Sequence, residues 1–108
     1  MQNEMAGLTP LKKIYNLTSV TEWMINAINE YEAGNETKKR VSKLTRKVLK
    51  LLRKYKPEES QKVHYENVLD LCISLSTLER AEGPFKPFYL ESLKEELHKA
   101  LKLLKENG

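Results

Sequence analysis

Between Lys38 and Lys56 the chain carries ten basic residues and no acidic one, and they follow a helical period. At about 100° per residue, Leu51, Leu44, Tyr55, Val48, Val41, Leu52, Thr45 and Leu49 gather into an arc of about 160°. Arg53, Arg46, Lys39, Lys50, Lys43, Lys54, Lys47 and Arg40 fill the opposite arc of about 140°, and nothing else intrudes there. A segment divided in this way is stable in water as a helix whose apolar arc is covered. The rest of the chain has to supply the cover.

Three further stripes do so. Val20, Trp23, Met24, Ala27, Ile28 and Tyr31 recur at helical spacing, and Ser19 with Glu22 forms a capping box in front of them. Gly34 is placed to end that helix, and Asn35 to cap the basic one, predicted over 36–55. Pro57 opens a third helix, predicted to reach 82. Its apolar positions Tyr65, Val68, Leu69, Leu71, Cys72, Ile73, Leu75 and Leu78 cover over half the wheel, which places it centrally. After the break "EGPFKP", Leu90, Leu93, Leu97, Ala100, Leu101 and Leu104 form the stripe of a last helix over 88–106. Thr9-Pro10 predicts one short extra helix over 10–16. No segment alternates with period two.

The expected fold is therefore all-α: a small bundle of four main helices plus a short N-terminal helix. The 108 residues fit one domain, 1–108, and 40% of them are hydrophobic, enough for a modest core. The single cysteine, Cys72, has no partner for an internal disulfide, which suits a reducing compartment. No basic segment with an apolar run behind it stands at the start, and no apolar run nears the roughly 20 residues of a membrane span. A cytoplasmic location is expected.

Candidate chemistry is sparse. Cys72 lies mid-stripe, where packing is the expected role. Glu95 and His98 have the i, i+3 spacing of di-iron bundles, but no second Glu-x-x-His accompanies them. The aromatics fall mostly on stripes or beside Pro87, with Phe85 and Phe88 placed to anchor the last helix. There is no Gly-rich phosphate loop and no Ser/His/Asp set. An enzyme is not expected, and neither is a cofactor or metal.

Charge is the functional signal. The net charge is +4, yet outside the basic segment nine bases face fifteen acids. Eight like charges on one arc repel one another by a few tenths of a kcal/mol per close pair, and a mixed Glu/Lys face avoids that cost. The pattern points to a partner that compensates. The expected function is a small binding or regulatory module attached to nucleic-acid backbone through Lys39, Arg40, Lys43, Arg46, Lys47, Lys50, Arg53 and Lys54. With no Asn or Gln in the arc, little sequence specificity is expected. A helix-turn-helix fits poorly, because the helix is basic along some five turns and recognition helices read with their first few residues. The alternative is a protein-binding inhibitor or adaptor, of the immunity-protein or phage-regulator kind, docking an acidic protein on the same face. Neutralisation inside the fold, by residues such as Glu95 and Glu96, is a third arrangement. The composition leaves room for a homo-oligomer.

Overall fold

The computed structural model describes residues 7–80 and 86–107. Four helices carry the fold: α1 (Leu17–Glu32), α2 (Lys38–Lys54), α3 (Lys62–Ser76) and α4 (Lys86–Asn107). Short 3-10 turns at Glu59–Gln61 and Leu78–Arg80 bracket α3, and no strand occurs among the described residues. α1 and α3 each pack against all three other helices. Among the described residues, α2 and α4 lie on opposite sides of that pair and do not meet.

Each stripe goes inward. α1 buries Leu17, Val20, Trp23, Met24, Ala27 and Ile28, and α4 buries Leu90, Leu93, Leu97, Ala100 and Leu104. From α2, Val41, Leu44, Val48, Leu49 and Leu52 enter the same core as Val68, Leu71, Cys72 and Leu75 of α3. Full burial of one such side chain is worth about 1.5–3 kcal/mol. The buried threonine hydroxyls are satisfied along their own helices: Thr21 donates to the Leu17 carbonyl at 2.8 Å and Thr45 to that of Val41 at 2.7 Å. Ile73, expected in the core, is instead exposed on α3, and Leu69 is only partly buried. Phe88 is 79% exposed and anchors nothing; Phe85 lies outside the described residues. Tyr89 bonds α4 to the Ser74 carbonyl through its hydroxyl.

The helix ends differ from the expected ones. α1 is capped by Asn16, whose side chain accepts from Ser19 N–H at 2.8 Å while the Ser19 hydroxyl stands 3.4 Å from Asn16 N–H. Asn16/Ser19 therefore replaces the Ser19/Glu22 box, and the earlier start lets Leu17 enter the core. Thr37, not Asn35, caps α2, accepting from Arg40 N–H at 3.1 Å. The third helix is shorter than expected at both ends. Tyr55 turns extended with ψ 137°, two residues before Pro57, and the first helical residue of α3 is Lys62. Residue 82, where that helix was expected to end, lies outside the described residues.

No short helix forms over 10–16; residues 8–14 run as an irregular strap across the bundle. Side chains far along the sequence bind its backbone. Trp23 donates its indole N–H to the Thr9 carbonyl at 2.8 Å, Glu30 faces Gly7 N–H at 3.3 Å, and Glu36 accepts from Leu8 N–H at 2.7 Å. Leu8 is buried, and Leu11 and Ile14 pack on the core. These long-range bonds satisfy backbone groups of the strap that have no described partner within the strap itself.

Gly34 ends α1 as expected. At φ +84° it is left-handed; its N–H donates to the Tyr31 carbonyl at 3.1 Å and Asn35 N–H to that of Glu30 at 2.9 Å. These two bonds make a Schellman motif. Nothing lies within 4 Å of a Cβ placed there, so a side chain meets backbone strain and no clash. Gly34→Ala is expected to lower stability by about 1 kcal/mol in urea unfolding; an unchanged midpoint refutes the assignment.

Cys72 is buried with its thiol 3.8 Å from the Thr45 carbonyl. Burial pushes its pKa up to about 12, against a smaller downward pull from Arg53. The thiolate is the reactive form, so labelling by a thiol reagent near neutral pH should wait for unfolding. Rapid labelling in native buffer shows that this face of α3 is open.

Candidate nucleic-acid interface

All eight arc residues, Lys39, Arg40, Lys43, Arg46, Lys47, Lys50, Arg53 and Lys54, are exposed on one side of α2. The reason is the opposite side: with Val41, Val48 and Leu52 fully buried, the cationic arc points away from the core. The division read from the wheel is the one that the fold adopts.

Within the arc, two of the three arginines, Arg40 and Arg46, differ from the lysines in their surroundings. On the wheel, Arg40 stands at one edge and Arg46 and Arg53 at the other, with five lysines between. Arg40 donates to the Leu8 carbonyl at 3.0 Å and pairs with Glu36, whose side chain is 6% exposed. Arg46 does the same at the other edge, reaching the Ser76 carbonyl at 3.4 Å and Glu79 at 2.6 Å. Each of these guanidiniums ties α2 to a neighbouring segment through one carbonyl and one carboxylate, both bound by a single terminal nitrogen, Nη1. Glu79 is held further by its own N–H, which donates to buried Ser42 at 2.8 Å.

Among the described residues, no carboxylate makes an ion pair with Lys39, Lys43, Lys47, Lys50 or Lys54. The nearest link is electrostatic: Lys39 contributes to keeping Glu79 ionised. The five ammonium groups spread over about 22 Å of helix at 1.5 Å per residue. α4 is handled differently. Its Lys94 meets Glu32 of α1 at 3.0 Å and Lys105 meets Glu22 at 3.7 Å. Neutralisation of the arc by Glu95 and Glu96 does not occur: α4 lies across the bundle, and Glu96 pairs with Lys99 at 3.6 Å. Among the described residues, the arc's carboxylate partners are Glu36 and Glu79, and they serve its edges.

The strap adds a feature that the wheel does not show. An open cavity of about 400 Å³ lies beside the first half of α2, lined by Pro10, Thr37, Lys39, Arg40, Lys43, Leu44 and Lys47. Pro10 reaches it because Glu36 and Arg40 hold Leu8 on both its backbone polar groups. Gly7 sits tightly in this clasp: at φ +113°, a Cβ there lies 2.8 Å from the Glu36 carboxylate. No sequence signal nearer than 28 residues announces the contact.

The chain matches no known family model, no curated protein and no solved structure. No described helix is long and apolar enough to cross a membrane.

The Arg46–Glu79 contact has a readable titration. The guanidinium hydrogen bond holds the Glu79 carboxyl below its ordinary value of 4.5, against a smaller opposing effect of burial and with help from Arg80 and Lys39. Because the folded pKa is depressed, the contact's stabilisation is present above about pH 4.5 and is lost as pH falls through the folded value. Arg46→Gln should raise the Glu79 titration toward 4.5 in carboxyl-carbon NMR. A titration that the substitution does not move means that the pair is absent in solution.

Proposed function

We propose that this chain is a small non-catalytic binding module that attaches to nucleic-acid backbone through the exposed face of α2, with little sequence discrimination. One observation carries the reading: five neighbouring lysines without a described carboxylate partner, on a helix whose apolar side is taken up by the core through Val41, Val48, Leu49 and Leu52, with Leu51 half-buried. A membrane surface would need that apolar side. A nucleic-acid strand needs only the charge, and it offers a phosphate about every 3.4 Å along the duplex axis. Lysines over about 22 Å can meet roughly four to six phosphates of such a strand. The arc has no Asn or Gln to read base edges, and a lysine ammonium contacts phosphate as a point charge.

Phosphate contacts release counterions, so log K falls with log salt by about 0.9 per contact on duplex DNA and about 0.7 on single strands. Replacing Lys43, Lys47 and Lys50 together by Gln should flatten the slope by about 2 to 3 and weaken binding equally on unrelated sequences. Stability should hold or rise by a few tenths of a kcal/mol, because Lys43–Lys47 and Lys47–Lys50 repulsion is relieved. Negligible affinity for DNA and RNA at moderate salt, with the triple variant abolishing a stoichiometric complex with an acidic protein, replaces this reading by the docking one.

A further inference from the structure

The cationic face is not uniform along α2. Its second half, with Lys50 and Lys54, is a plain row of charges. Its first half borders the cavity of about 400 Å³, where the strap stands beside the helix. Four cations, Lys39, Arg40, Lys43 and Lys47, surround that space, and Pro10 and Leu44 add apolar lining. An isolated phosphate has no use for the apolar part and fills little of the volume. Sites for whole small organic ligands begin at about 300 Å³.

A duplex turns its phosphates outward and keeps its bases stacked inside. It reaches the lysine rim but has no apolar surface to lay on Pro10 and Leu44. A single strand exposes sugar and base faces next to the same phosphates. We infer that this cavity is a subsite for one unpaired nucleotide, so that the face holds single-stranded nucleic acid in preference to duplex. The inference rests on the backbone-binding reading above and adds the strand form to it. Among the described residues, the lining has no aromatic ring. The nucleotide is therefore held by apolar burial beside cations, not by a stacking platform, and every base serves alike. The strap is part of the site: Pro10 stands there through the Leu8 contacts with Glu36 and Arg40.

Equilibrium binding at one fixed salt tests this with three probes of equal length: an oligothymidine strand, that strand paired in a duplex, and a sugar-phosphate strand without bases. The oligothymidine should bind about tenfold more tightly than the duplex, a margin of the size that one buried base face gives. The base-free strand should lose that margin. Pro10→Glu, which places a carboxylate in the cavity, should erase the preference for single strands. Lys54→Gln, at the far end of the helix, should weaken both forms alike and leave the ratio unchanged. Equal or tighter duplex binding, a base-free strand as good as oligothymidine, or a ratio untouched by Pro10→Glu overturns the subsite and leaves backbone binding standing. Failure of every probe to bind overturns both.

Discussion

The apolar arc of α2 has to be kept from water, and most of the molecule is arranged around that need. Val41, Leu44, Val48, Leu49 and Leu52 face α3 and α1, and α4 closes the bundle from the far side. Once those residues are covered, the opposite arc faces outward, with the strap and the turn at Leu78–Arg80 touching its arginine edges. The lysines are exposed because the leucines and valines are not. For the same reason the surface is stiff: a helix fixed by five core side chains presents its charges at set intervals, and an anion that meets one meets the next without ordering a loop.

Two arginines and the five lysines divide the work on that surface. Arg40 and Arg46 join segments: the first holds the strap to the start of α2, the second holds the turn at Leu78–Arg80 against its middle. Both do so with a carbonyl and a carboxylate together, bound by the two N–H groups of one terminal nitrogen. The lysines between them carry compact, strongly hydrated charge on flexible stems. The acids Glu36 and Glu79 are thus spent on architecture at the edges, and the middle of the arc keeps its field.

What the sequence revealed follows the range of the interaction. Local periodicity placed all four helices and both sides of α2, because a stripe and its complement are written within one segment. It also placed Cys72 in the core and Gly34 at the end of α1. Caps were harder: Asn16-x-x-Ser19 and Ser19-x-x-Glu22 overlap, and burial of Leu17, a tertiary event, goes with the first. The strap was misread as a helix because Thr9-Pro10 is a sound local start, whereas its actual partners, Trp23, Glu30, Glu36 and Arg40, lie 14 to 32 residues away. Glu79 as the partner of Arg46 is hidden likewise, 33 residues off, and so is the cavity that Pro10 lines. Phe88 misled for another reason: a large aromatic beside a proline suggests an anchor, but on α4 it points outward.

The bond from Trp23 to Thr9 gives the molecule a built-in reporter. This is the chain's single tryptophan, and its indole is nearly covered while its N–H is bound to the strap. Its emission therefore depends on whether the strap is docked, and not only on whether the bundle is folded. Lifting the strap would wet the ring and redden its fluorescence while α1 to α4 kept their far-ultraviolet ellipticity. The two optical signals separate an undocked strap from an unfolded protein without any added label.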